Sequence, residues 1–187
     1  INIVLKGKNK ITISAESTEG IKSTGKVTID DTISPAQDCL DIYCSDGTES
    51  VSMIYTGGFG ADYATYIVGG TVNLVEENTR RRYVTGISRW AYVENDASLN
   101  INLSADGGRN GAAALLNLNT SGDTSFRVNS LSSSSYGVYS LDKKGSGDTA
   151  LTAEGKAKNI GNKFTVGSTG NTGKITIKGY LTDFTPY

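Results

Sequence analysis

Apolar residues occupy every second position over short stretches of this chain, and the stretches come in pairs. The clearest pair is Ile21 with its neighbours, a Gly25 corner, then Val27-Thr28-Ile29. Alternation with a period of two marks extended strands with one buried face, and no window keeps an apolar repeat at helical spacing. Centring on the first strand of each pair gives Ile3, Ile21, Ile42, Tyr66, Trp90, Leu115, Val138 and Phe164. The second strands give Ile11, Val27, Val51, Val72, Leu99, Phe126, Leu151 and Ile175, each with an apolar or small partner two positions on. Both series settle to a step of about 24 residues, and an internal period of that size is the signature of a solenoid.

The pattern therefore predicts an all-β parallel solenoid of about eight coils with little or no helix. Each coil contributes one strand to each of two or three sheets, and like residues stack in columns that no single coil could bury. An antiparallel sandwich is the competing architecture, but its strands have no reason to advance in locked pairs. Turns are expected at Gly57-Gly58, Gly69-Gly70, Asp106-Gly107-Gly108, Ser121-Gly122-Asp123, Gly145–Asp148 and Gly170–Gly173. The first two coils read as short and the later ones as carrying longer loops, which in solenoids gather on the binding face. Residues 1–179 form one domain on this reading, and the aromatic tail 180–187 closes the open end of the core. No comparable segment precedes Ile1, so the chain reads as a piece of something longer whose bare N-terminal end offers strand edges for end-to-end association.

Composition narrows the function by exclusion. The 187 residues include 23 Gly and 2 Pro and carry a net charge of −1 with both signs interspersed. No basic stripe suggests a nucleic acid partner, and no apolar run is long enough for membrane insertion as a helix. There is no His, which removes His-dependent nucleophile systems and most transition-metal sites. Gly57-Gly58-Phe59-Gly60 lacks the Lys-Ser or Lys-Thr of a phosphate-binding loop. The two Cys, 39 and 44, would lie on opposite faces of one strand about 16 Å apart. A disulfide would need a bend at 40–43; otherwise Cys44 is buried and Cys39 more exposed.

Three groups could carry chemistry. Asp31, Asp41 and Asp46 belong to an acidic cluster that stacked coils could gather into a calcium site of hard oxygen ligands; the alternative is a solvated acidic turn. Arg80, Arg81 and Arg82 form the densest cationic run. They could grip acidic sugars through bidentate guanidinium–carboxylate pairs or merely neutralise Glu76 and Glu77. The aromatic residues Tyr43, Tyr66, Trp90 and Tyr139 recur near coil spacing, as an outer ladder for stacking on sugar rings or as a wide part of the core. Strand parity places Tyr43 outside. With Arg89 assumed to face solvent, it sends Trp90, and with it Tyr66, inward. Tyr92 and Arg109 complete the candidate ligand-binding set.

The phrase Ile3-Val4-Leu5-Lys6-Gly7-Lys8-Asn9-Lys10-Ile11-Thr12-Ile13, followed by Gly20–Ile29, resembles the coils of secreted bacterial right-handed β-helix proteins of pectate-lyase-like architecture, in particular small carbohydrate-binding surface proteins. The resemblance covers about residues 1–50 and is only periodic beyond. It implies a right-handed helix, a secreted or cell-surface location, contact with a polysaccharide or surface glycan along the long face, and in some members bound calcium. In lyases of this architecture a basic residue abstracts a proton beside a calcium-neutralised uronate, a role Arg82 could imitate. The resulting expectation is a glycan-binding or adhesion module without catalysis. A polysaccharide lyase or hydrolase on the same scaffold, and a structural segment of an adhesin, fibre or phage spike, are the alternatives.

Overall fold

A computed structural model describes residues 1–31, 38–105, 109–167 and 173–181, apart from the side chains at 78, 79, 105, 109, 110 and 112–114. The chain forms a parallel β-solenoid: every strand pairing found is parallel. That excludes the sandwich. The only helical element among the described residues is a single 3-10 turn, Ala61–Tyr63.

The first coil holds β1 (Asn2–Leu5) and β2 (Lys8–Ile13). The second holds β3 (Glu19–Ser23), β4 (Val27–Asp31) and β5 (Cys39–Cys44). The third holds β6 (Val51–Thr56), β7 (Thr65–Ile67) and β8 (Thr71–Thr79). From there each coil has two strands: β9 (Tyr83–Asn95) and β10 (Ser98–Ala105), then β11 (Arg109–Thr120) and β12 (Thr124–Ser130). β13 (Tyr136–Lys143) and β14 (Thr149–Gly155), then β15 (Lys158–Val166) and β16 (Ile175–Lys178), complete the stack.

One sheet has seven strands, in the order β16-β14-β12-β10-β8-β5-β2, so the solenoid has seven coils where the spacing suggested about eight. The other is a nine-stranded sheet, creased along its length. β9 pairs with β6 through Val84 and Ile87 and with β7 through Ala91 and Val93, so it fuses two strands that are separate in the third coil. The crease passes through Arg89, whose φ of 76° is left-handed, and the registers of β11 on β9 and β15 on β13 slip at the same level. Such bulges bend a strand and re-aim the side chains beyond them. The solenoid therefore has three faces: a first built on β3, β6 and the start of β9, a second on β1, β4, β7 and the end of β9, and a third formed by the seven-stranded sheet.

The crease corrects the reading of coil length. Ile11 to Ile42 is 31 residues and Ile42 to Leu74 is 32, whereas later steps along the same column are 25 to 27. The second and third coils are the long ones, because each carries three separate strands. The spacing grouped those six strands into three pairs, one coil too many.

Columns form as the alternation requires, but the two series cross between faces in the early coils: Ile3 pairs with Ile29, Ile21 with Ile54 and Ile11 with Ile42. Ile11, Ile42, Leu74, Ile101, Phe126, Leu151 and Ile177 are in register on the third face. Opposite them run Ile29, Ile67, Val93 and Leu118. Thr124 and Thr149 continue a column of Leu40, Val72 and Leu99, and their buried hydroxyls bond each other at 3.0 Å. The corner between second and third faces stacks Gly122, Gly147 and Gly173 so closely that a Cβ on Gly147 would overlap the Gly122 carbonyl. Beside them the carboxylates of Asp123 and Asp148 each accept the backbone N–H of the next coil's corner, from Asp148 and Lys174.

At the C-terminal end, Asn159 and Ile160 donate backbone bonds to Tyr180 and Leu181, and Leu181 packs on the core. Residues 182–187, the rest of the expected closing tail, lie outside the described residues. Cys39 and Cys44 sit at opposite ends of one straight strand, Cys44 buried and both free.

Candidate functional site

The crease decides what the second face displays. Ala91 and Val93 point inward and are fully buried, so Trp90 and Tyr92 point outward. The expectation of Trp90 and Tyr66 in the core is thereby corrected: Arg89 occupies a bulge rather than an ordinary outward position, and parity cannot be counted through it. Tyr66 and Tyr92 are in register on β7 and β9, and their rings stack at 4.7 Å with planes 9° apart. The Lys26 ammonium covers Tyr66 at 4.1 Å from the ring centre.

The same column continues from Tyr92 to Asn117, Asp142 and Thr165, and the adjacent one runs Trp90, Leu115, Ser140 and Lys163. These two rows line an open trough of about 350 Å3 floored by Leu116 and Leu141, at the lower end of the range for ligand clefts. Asp142 is paired with Lys144 at 3.3 Å, while Lys163 has no ion pair among the described residues. The trough thus has an aromatic end and a polar, cationic end, spanning three strand steps or about 14 Å.

The third face carries a second open trough, of about 430 Å3, around Asp41, Tyr43, Asn73, Asn100 and Arg127. Tyr43 is outward as expected, 37% exposed, with Lys10 over its ring at 4.5 Å.

The arginine run divides three ways. Arg80 is exposed and tied to Asp46 through its backbone N–H at 2.8 Å and its guanidinium at 2.9–3.0 Å. Arg82 is exposed and lies over the Tyr83 ring at 5.4 Å. Arg81 is fully buried, which removes it from any ligand surface. Its Nε donates to Ser45 O at 2.8 Å, one terminal nitrogen to Ser17 O and Glu49 O at 3.2 Å each, and the other to Ser14 O at 2.7 Å. These carbonyls belong to the corners of the two preceding coils, so one side chain ties three coils together. Glycine at 47 leaves the room: a Cβ there would sit 3.1 Å from the guanidinium carbon. Arg109 begins β11, and its side chain lies outside the described residues.

The three candidate calcium ligands are not brought together. Asp41 accepts from Asn73 at 2.7 Å. Asp46 is held by Arg80, whose backbone N–H and guanidinium bonds keep its carboxyl below the usual range. Asp31 has the neighbours Asp96, Asp30 and Asp38 instead, and burial followed by their charge pushes its carboxyl up. Among the described residues no group of three or more His, Cys, Asp or Glu is placed to hold a metal. The acids cluster in sequence, but they sit on different corners and faces.

Sequence reasoning missed Trp90, Asn117, Asp142 and Lys163 as partners of Tyr92. The steps of 25, 25 and 23 residues along Tyr92's row, to Asn117, Asp142 and Thr165, were legible once one member was known to face out. The bulge hid which one. No family model, no curated protein and no solved structure matches this chain, so the geometry of its faces stands alone as the guide to function.

Proposed function

We propose that the chain is an extracellular polysaccharide-binding module that works without catalysis, with the polymer lying along the second-face trough. One observation carries this reading: the column of stacked rings stops where the trough opens. Tyr66 occupies one face of Tyr92, and on the other side the next coil presents Asn117 in place of a third aromatic. A pyranose has an apolar C–H face that can continue such a stack, and Trp90 supplies a second wall. Its hydroxyls would meet Asn117 and Asp142, one strand step of about 4.8 Å apart, and Ser140 in the adjacent row. Rigid aromatic anchors with a few placed polar groups are the usual composition of a small-ligand cleft.

The test is affinity electrophoresis through gels containing neutral or acidic polysaccharides, comparing the parent chain with Trp90→Ala and Asn117→Ala. Retardation by at least one polymer, reduced tenfold or more in both variants at unchanged melting temperature, is the expected result. Absence of retardation by every polymer, or full retention of binding in Trp90→Ala, would sink the proposal.

A further inference from the structure

The third face differs from the second in chemistry and shares none of its residues. Its outward rows are set by register: Lys10, Asp41, Asn73, Asn100 and Ser125 form one, and Tyr43, Val75, Asn102 and Arg127 the next. Along the first row the side chains bond head to tail. Asn73 Nδ2 donates to Asp41 at 2.7 Å, Asn100 Nδ2 to Asn73 Oδ1 at 2.9 Å, and Ser125 Oγ to Asn100 Oδ1 at 2.7 Å. In the second row Asn102 donates to Glu77 at 3.0 Å and accepts from Arg127 at 3.0 Å, and Arg127 also pairs with Glu154 at 2.6 Å.

A carboxamide has two N–H donors, so Asn73, Asn100 and Asn102 each keep one for a partner outside the rows. We propose that these amides form a second, independent site, which binds an uncharged polysaccharide along the solenoid axis. Three arguments select that occupant. The amides are already locked by their neighbours, so little side-chain freedom remains to be lost on binding. Asn73 and Asn100 lie one strand step apart, about 4.8 Å, comparable to one sugar of an extended chain. The trough's own lining holds one acid, Asp41, and one base, Arg127, whose charge Glu154 already answers, so it offers an anionic polymer no unpaired cation. Tyr43 and Val75 add the apolar patch that a sugar ring covers.

The test titrates the 15N-labelled chain with cellohexaose, mannohexaose and laminarihexaose, and with an oligogalacturonate as the charged counterpart, reading the side-chain NH2 resonances of Asn73, Asn100 and Asn102. At least one neutral oligosaccharide is expected to shift these resonances, and the oligogalacturonate to bind tenfold or more weakly. Asn100→Ala should weaken binding at least tenfold. Val75→Arg, which blocks the trough while leaving every bond of the Asp41–Ser125 row in place, should do the same without lowering the melting temperature. Trp90→Ala should leave these shifts intact, so this site and the second-face site can fail separately. The proposal is overturned if no neutral probe moves the three amides, if the charged probe binds as well as the neutral ones, if binding survives Val75→Arg, or if Trp90→Ala abolishes the shifts.

Discussion

Replacing Arg81 with Ala separates a structural clasp from a ligand contact. The side chain is fully buried and makes four bonds of 2.7–3.2 Å to carbonyls of Ser14, Ser17, Ser45 and Glu49. Hydrogen bonds to a charged group contribute about 1.5–3 kcal/mol each, so a simple total approaches roughly 10 kcal/mol. That total overstates the loss, because bonds made by one guanidinium are coupled and water can enter the vacated corner to satisfy the carbonyls. The expected loss is about 3–5 kcal/mol, since each buried acceptor left unpaired costs about 1–3 kcal/mol and water recovers part of the total. For a chain of this size that lowers the melting temperature by roughly 6–20 °C. In a solenoid each coil leans on its neighbours, so hydrogen exchange should rise first in the backbone around 14–23 and 45–56 and leave 124–155 protected. Arg81→Lys keeps the charge without the planar fork and should recover only part of the loss. Arg80→Ala, which removes an exposed pair with Asp46, should leave the melting temperature unchanged within error. An Arg81→Ala chain that melts like the parent, or that loses protection evenly along its length, would refute the reasoning.

Three further outcomes follow from the same geometry. Gly147→Ala should destabilise by about 1–3 kcal/mol or more, since its Cβ would overlap the Gly122 carbonyl, whereas Gly25→Ala, with no neighbour closer than 3.8 Å, should be tolerated in urea denaturation. Because burial and the charges of Asp96, Asp30 and Asp38 raise the Asp31 carboxyl above its unfolded value, its ionisation opposes folding as pH rises through that raised value. Asp31→Asn should therefore raise the melting temperature at pH 7, with the gain fading below the ordinary Asp range; a gain that grew toward acid pH would contradict this. Burial pushes the Cys44 thiol up to about 11, so iodoacetamide at pH 8 should label Cys39 first and reach Cys44 only on unfolding, as peptide mass mapping can show.

Much of this architecture was legible in the chain. Alternation at Ile11-Thr12-Ile13 or Val27-Thr28-Ile29 fixes which side chains share a face, because successive strand residues point oppositely. The recurrence of such pairs forces stacking, since one coil has no interior of its own. Corner glycines at 122, 147 and 173 were legible too, as a backbone-on-backbone approach admits no Cβ. The tertiary structure alone decided the rest. Parity is a local count, and the left-handed Arg89 resets it, turning Trp90 and Tyr92 outward to build the second-face trough. The coil count fell to seven because separate short strands and a single creased one leave the same alternation in sequence. Arg80, Arg81 and Arg82 are neighbours of one type, yet one is paired at the surface, one is buried and one lies over a tyrosine ring. Their fates depend on which carbonyls and carboxylates two earlier coils deliver to that corner, a matter of distances between residues up to 67 positions apart that no local pattern records.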